Sequence, residues 1–168
     1  MKVTKKNVFY FAFIFFWLFL DQLTKYLIAR SLSLYEVVQI IPGFFNLTRV
    51  HNRGAIFGFL STTSNPLALI FLNVGALLAF AIITYYFLKT PKEMILTRIS
   101  FALIISGAMG NIADRLIRGY VIDFIDFYVG SFHWPFFNIA DSCITIGAII
   151  LIISVFRSQK KCTQSSSE

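Results

Sequence analysis

The chain has little charge, and this scarcity decides its broad class. Only 14% of its 168 residues are charged, against about 25% in an ordinary soluble domain. From Gly54 to Leu88 there is no Asp, Glu, Lys or Arg, and a helix needs roughly 20 apolar residues to cross a bilayer. The composition excludes a soluble enzyme and predicts an integral membrane protein that is too short to carry a separate soluble domain.

Cysteine and histidine are also scarce, with two of each. Cys143 lies in an apolar run and Cys162 in a polar tail, so a disulfide framework is excluded. His51 and His133 are isolated, and no Cys or His spacing suits a metal ion. We therefore expect no metal and no other cofactor.

Four apolar runs are long enough to span a bilayer. They cover about 8–29, 66–88, 98–116 and 136–156. The third run is rich in small residues that allow close helix packing, namely Ser106, Gly107, Ala108 and Gly110. The sequence predicts an all-α integral membrane fold that forms a single domain over residues 1–168, with four transmembrane helices and a tail at 157–168.

An even number of spans places both termini on one side of the membrane. That side carries nine of the fifteen basic residues: Lys2, Lys5, Lys6, Lys89, Lys92, Arg98, Arg157, Lys160 and Lys161. The positive-inside rule then predicts cytoplasmic termini, with segments 31–65 and 117–135 facing outward. The net charge of +7 is explained by this topology, so it does not call for a nucleic-acid partner.

The first outward segment has a β-like pattern. The stretches Val37–Ile41 and Phe45–Val50 are separated by the turn residues Pro42 and Gly43. We predict a small β-rich structure here that lies on the membrane. For the second outward segment we predict a loop or a helix.

Carboxylates in or beside membrane spans are costly and mark functional sites by default. Asp123 follows the third span and Asp141 begins the fourth, so a folded chain could bring both to one membrane face. Two carboxylates that share a proton can hydrolyse a peptide bond, since one activates water and the other polarises the carbonyl. Each acid also has an alternative, structural role. Asp141 could lie in the first turn of a helix capped by Asn138, where a carboxylate suits the helix dipole. Asp123 could be a solvated interfacial acid beside Asp126.

Other polar residues near the span ends have a supporting role in this scheme. Asp21 and Lys25 are four residues apart in one helix, where they can neutralise each other. Asn111, Asp114 and Arg115 end the third span, and an arginine can hold a carboxylate through two hydrogen bonds. We therefore expect Asp114 to position other groups rather than to act as a third catalytic acid.

Five motifs now point to a family. They are DQLTK (21–25), HNRGAIFG (51–58), AMGNIADR (108–115), VIDF (121–124) and FNIADS (137–142). They closely resemble, in order, the motifs of bacterial lipoprotein signal peptidase, also called signal peptidase II. The resemblance covers nearly the whole chain from Asp21 to Gly147. It implies an aspartic endopeptidase in the bacterial cytoplasmic membrane, with its active site facing outward.

The resemblance also implies a substrate and a set of site residues. Such enzymes remove signal peptides from prolipoproteins by cutting before a diacylglyceryl-modified cysteine, and they use no cofactor. The catalytic aspartates of the family match Asp123 and Asp141. The positions that line or support the site match Asn52, Asn111, Arg115 and Asn138. The implied partners are the lipidated prolipoprotein, membrane lipid and globomycin-type inhibitors, and the implied first outward loop is a small β-cradle.

Two other classes compete with this interpretation. A small proton-coupled transporter would distribute acids through the membrane depth, whereas the middles of the second and fourth spans are free of charge. A structural membrane subunit would leave the clustering of acids at one face unexplained.

Overall fold

The computed structural model of the chain describes residues 5–54 and 66–165. These residues form four long helices and four short strands. In chain order they are α1 (Lys5–Ser31), β1 (Val37–Ile41), β2 (Phe45–Asn52), α2 (Pro66–Lys89), α3 (Ile95–Arg118), β3 (Val121–Val129), β4 (Phe132–His133) and α4 (Ile139–Ser165). Four of the described helices are long and apolar enough to cross a membrane. The predicted number of spans is confirmed.

The helix ends differ from the predicted span limits, most clearly at the start of α3. This helix begins at Ile95, and Arg98 is buried within it rather than at its boundary. The Arg98 guanidinium lies over the rings of Tyr10 at 4.6 Å and Phe87 at 4.8 Å, and it donates a 3.0 Å hydrogen bond to the Thr90 carbonyl. Because these contacts compensate its burial, the charge does not end the helix.

α4 also continues past the predicted end of its span. It runs through Phe156 to Ser165, into the segment that we predicted as a tail. Charged residues end an apolar run without ending a helix, because Lys, Arg and Gln are good helix formers. Hydropathy therefore locates the span but misses the true end of the helix.

α3 is the central helix of the bundle. Of its most apolar stretch 61% is buried, whereas the corresponding stretch of α2 has no buried residue. A side chain at Gly107 would collide with the backbone carbonyl of Ala140 in α4, and one at Gly110 would collide with Asp21 in α1. The small residues of α3 therefore allow both neighbours to approach closely, as predicted from the sequence.

The strands form an antiparallel sheet in the order β1-β2-β3-β4. The predicted turn at Pro42 and Gly43 joins β1 to β2, and Gly43 has a φ of 75°. The prediction of a loop or helix in the second outward segment is wrong, because Val121–Val129 is a strand. It pairs with β2 from Phe45↔Phe127 to Asn52↔Val121, which satisfies its backbone hydrogen bonds.

The sheet lies against the end of α1. Ile28 of α1 and Leu32, directly after this helix, form a buried cluster with Ile122 and Phe124 of β3. From β2, Arg49 donates hydrogen bonds of 3.1 and 3.0 Å to the carbonyl oxygens of Ala29 and Leu32. We call this end of the helices, where α1 and α3 end and α4 begins, the sheet end. These contacts fix β2 and β3 over the sheet end.

Candidate active site

Asp123 lies on β3 and is almost fully buried. Its two carboxylate oxygens accept hydrogen bonds from two amide side chains, Asn52 Nδ2 at 2.8 Å and Asn138 Nδ2 at 2.7 Å. Burial, together with the nearby Asp141 carboxylate, raises the pKa of Asp123 to about 7. This carboxyl group is thus set to hold a proton near neutral pH.

Asp141 lies in the first turn of α4, and Asn138 caps that helix. The Asn138 side-chain oxygen accepts from the Asp141 backbone N–H at 3.0 Å, and the Asn138 N–H donates to Asp141 Oδ2 at 3.2 Å. This reciprocal pair is a capping box. The other carboxylate oxygen accepts a 2.8 Å hydrogen bond from Asn111 Nδ2. The capping role considered for Asp141 is therefore present, and it fixes the carboxylate at the sheet end.

Asn138 links the two carboxylates. One side-chain amide donates to Asp123 and accepts from the Asp141 backbone, and it also lies 3.3 Å from Asn111 Oδ1. All four residues are buried. The structure thus brings together two carboxylates from separate elements, β3 and α4, through shared amide partners. We call Asp123 and Asp141 the carboxylate pair.

A charge cluster supports the carboxylate pair from the helices, and it consists of Asp21, Lys25, Asp114 and Arg118. Lys25 Nζ lies 2.9 Å from Asp21 Oδ2 and 3.0 Å from Asp114 Oδ2, and these three side chains are buried. Arg118 also pairs with Asp114. Lys25 Nζ donates a further 3.0 Å hydrogen bond to Asn111 Oδ1. The charge cluster therefore holds the amide that contacts Asp141.

Among the described contacts, Arg115 donates to backbone carbonyl oxygens and not to a carboxylate. Its guanidinium donates to the carbonyl oxygens of Gly54 at 2.9 Å and Asn111 at 3.4 Å. The arginine that pairs with Asp114 is Arg118, four residues along α3. Residues four apart share a helix face, whereas neighbours point in different directions. Arg115 thus fixes the end of the β2 segment to α3.

Gln22 is a site residue that the sequence reasoning missed. Its side-chain amide donates to Asp21 Oδ2 at 3.1 Å, to Asp114 Oδ1 at 3.2 Å and to the Gly110 carbonyl at 3.2 Å. The position of Gln22 in the sequence could have revealed it, because an amide beside a buried acid inside a span needs polar partners of its own.

Asp126 lies apart from the carboxylate pair. It accepts from Asn46 Nδ2 at 2.9 Å and pairs with His133 Nδ1 at 2.7 Å. In an extended strand, residues three apart point to opposite faces. Asp126 therefore points away from Asp123 along β3 and is not the second member of the pair.

Two mainly apolar cavities lie beside the carboxylate pair; one is lined by Asp141 itself and the other by its partner Asn111. The first, of about 220 Å³, lies between α2 and α3 and ends at Asn111 and Arg115. The second, of about 250 Å³, is lined by Trp134, Phe137, Asp141, Ser142, Thr145 and Ile146. An apolar chain can thus approach Asp141 and its partner Asn111 from two directions, through either cavity.

The described residues contain no group of three or more His, Cys, Asp or Glu side chains placed to hold a metal ion. Cys143 is buried and unpaired. What the geometry offers is acid–base chemistry between two carboxyl groups.

A family model described as signal peptidase (SPase) II matches residues 13–157. The chain belongs to the signal peptidase II family. It is therefore a peptidase and a multi-pass membrane protein. The matched range includes both members of the carboxylate pair and the charge cluster. Family membership argues against the transporter and structural-subunit interpretations.

Individual relatives agree with the family assignment. Lipoprotein signal peptidases from Alteromonas mediterranea and Syntrophus aciditrophicus are 43% and 42% identical to the chain, over 89% and 86% of its length and 81% and 89% of theirs. That of Burkholderia thailandensis is 48% identical over 82% of the chain and 81% of its own length.

Two solved structures of bacterial membrane enzymes have the same fold. One has a TM-score of 0.79 and 32% identity, and the alignment covers 90% of each chain. The other has a TM-score of 0.72 and 33% identity, over 87% of this chain and 91% of its own.

Proposed function

We propose that the chain is an aspartic endopeptidase that removes signal peptides from diacylglyceryl-modified prolipoproteins by cutting before the lipidated cysteine. The observation that carries this proposal is the carboxylate pair: two buried acids from β3 and α4, linked by Asn138. The lipoprotein signal peptidases similar to the chain support the substrate class.

The two carboxyl groups have different surroundings, and this suggests separate roles. Asp141 lies in the first turn of α4, where it accepts hydrogen bonds from the Asn138 backbone N–H and from the Asn111 side-chain amide of α3. It is the general base that takes a proton from water as the water oxygen attacks the scissile carbonyl. Asp123, with its raised pKa, is the acid that donates to the carbonyl oxygen.

Collapse of the tetrahedral intermediate reverses these transfers. The C–N bond breaks as Asp141 gives its proton to the leaving nitrogen of the cysteine, and Asp123 recovers the proton that it donated. Because Asp123 must begin the cycle protonated, we expect cleavage to decline as the pH rises through about 7.

The supporting residues position this pair. Asn52 and Asn138 hold Asp123, and Asn111 holds Asp141. Asp21, Lys25, Asp114 and Arg115 fix the helices and the β2 segment around these amides. No metal or other cofactor takes part in the proposed chemistry.

The first cavity suits the apolar part of the signal peptide. It is lined by α2 and α3 and includes the small residues Ala76, Ala79 and Ala108, which let another helix approach closely. Its polar end at Asn111 and Arg115 lies beside Asp141. An apolar segment in this cavity would place the scissile bond at the carboxylate pair.

The proposed setting is the bacterial cytoplasmic membrane. The basic residues favour cytoplasmic termini, so the sheet end and the carboxylate pair face outward at the membrane surface, where water is available. The sheet there would act as a cradle for the substrate. Globomycin-type peptides, implied by the family resemblance, would inhibit by occupying the same site.

The test is cleavage of a purified diacylglyceryl-modified prolipoprotein by Asp123→Asn and Asp141→Asn variants. Each change keeps the side-chain shape but removes an ionisable group, so we expect loss of cleavage by at least about 1,000-fold, as for other essential acid–base groups. Insertion into the membrane should be unchanged.

The matched control is Asp126→Asn, since Asp126 is equally buried on the same strand but has other partners. It should keep most of the activity. A dead Asp126→Asn variant beside an active Asp141→Asn variant would mean that the wrong carboxylates are paired.

A further inference from the structure

The second cavity connects the carboxylate pair to the membrane-facing side of α4. Asp141, Ser142, Thr145 and Ile146 lie along one side of this helix and line the cavity. Thr145 and Ile146 are also exposed on the outside of the molecule. The cavity is therefore a groove that is open on the outside of the helices and has Asp141 among its lining residues, together with Trp134 and Phe137. We call it the α4 groove.

An exposed apolar stripe continues the α4 groove along the helix. Ile149, Ile152 and Ile153 follow Thr145 at helical spacing, and all three are exposed. From Asp141 to Ile153 the helix rises about 18 Å at 1.5 Å per residue. Half of a hydrocarbon core is about 15 Å thick. The groove and its stripe thus run from the carboxylate pair to about the middle of the bilayer.

We propose that the α4 groove is the subsite for the acyl chains of the substrate's lipidated cysteine. This subsite proposal rests on the proposed function above. It adds that the lipid lies on the α4 side of the site and the signal peptide on the α2–α3 side. The signal peptide and the lipid leave the scissile bond in different directions, and the site has two apolar approaches. The α2–α3 cavity has an amide and a guanidinium at its end, which suit a peptide backbone, whereas the α4 groove opens to lipid.

Acyl chains gain little hydrophobic free energy by moving from lipid into an apolar groove. The role of the α4 groove is therefore geometric: it directs the lipid away from the carboxylate pair so that the adjacent peptide bond lies at Asp141. Displacement of a substrate by about 1 Å can cost on the order of 100-fold in rate. Thr145 and Ile146 are thus specificity-determining residues for the lipid.

The test compares substrates that differ only in acyl chain length. Thr145→Phe places a ring in the α4 groove, so kcat/KM should fall at least about tenfold for a dipalmitoyl prolipoprotein peptide and less than about threefold for a dibutyryl one. Ala76→Phe in the α2–α3 cavity should reduce kcat/KM by the same factor for both substrates. Leu27→Phe, at a lipid-exposed position of α1, is the control and should change neither.

A second measurement does not depend on turnover. A dipalmitoyl substrate with a photoreactive group in one acyl chain is bound to Asp123→Asn, irradiated and digested for mass spectrometry. Cross-links to α4 between Thr145 and Ile153 support the proposal. Cross-links to α2 or α3, or an equal loss for both chain lengths in Thr145→Phe, would overturn it. If Asp123→Asn still cleaves, the assignment of the carboxylate pair fails, while the cross-links still locate the lipid.

Discussion

Asp123→Asn should change the pH dependence of stability as well as the activity. Burial and the Asp141 carboxylate raise the pKa of Asp123 from 3.8 to about 7 in the folded protein. The folded state therefore binds more protons than the unfolded state between these values, so stability falls as the pH rises from about 4 to about 7. The full difference corresponds to about 4 kcal/mol, and the part between pH 5 and pH 8 to about 3 kcal/mol.

The asparagine variant lacks this titration. It has a constant cost instead, because its NH₂ group must face an amide donor of Asn52 or Asn138, where a lost hydrogen bond costs about 1–3 kcal/mol. The free energy of unfolding of the variant, relative to that of the unaltered protein, should thus rise by about 3 kcal/mol from pH 5 to pH 8.

The assay is the apparent melting temperature of both proteins in the same detergent, at one scan rate and at pH 5, 6.5 and 8. Thr97→Val is the control, since it removes the buried 2.6 Å contact with Ser154 but no titrating group. The difference in melting temperature between Thr97→Val and the unaltered protein should be the same at every pH. A constant offset for Asp123→Asn as well would refute the raised pKa of Asp123.

Three further outcomes follow from the site. Lys25→Met leaves Asp21 and Asp114 buried without their shared cation, so thermal unfolding should show a loss of about 3–5 kcal/mol. Asn138→Ala removes both the cap of α4 and a donor to Asp123, so it should lower stability by about 1 kcal/mol and kcat more than KM. Cleavage should survive an excess of EDTA; activity lost to the chelator and restored by a divalent metal would contradict the proposed chemistry.

Hydropathy predicted the helices because the bilayer sets their length. It could not predict their ends where tertiary contacts decide them. Arg98 looks like a boundary residue in the sequence, yet the two aromatic rings around it come from α1 and α2. Burial of a charge depends on such partners, and a single apolar run does not contain them.

The strand at Val121–Val129 was missed for a related reason. VIDFIDFYV alternates hydrophobic and acidic residues only in part, and both faces of its first half are buried. It is a strand because β2 is available to pair with it. The hairpin at Pro42 and Gly43 was predictable because its turn residues lie within the hairpin itself.

The candidate site was predictable as a set of residues but not as a network. Topology placed Asp123 and Asp141 at one end of the helices. The Asp114–Arg118 pair follows from four-residue spacing within α3, but the place of the Gln22 amide among the buried acids depends on the rotation of α3 against α1. Sequence spacing gives the faces of one helix, but it does not tell which face meets the neighbouring helix.

The charge cluster has a consequence for the order in which the protein is made. Asp21 and Lys25 belong to the same helix, so they can neutralise each other as soon as α1 enters the membrane. Asp114 arrives later with α3 and finds Lys25 already in place. Asp141 comes last, and its helix also supplies the Ala140 N–H to Asp21. Each buried carboxylate on a helix thus meets a partner as its helix inserts, and the proposed carboxylate pair is incomplete until the fourth helix has joined the other three.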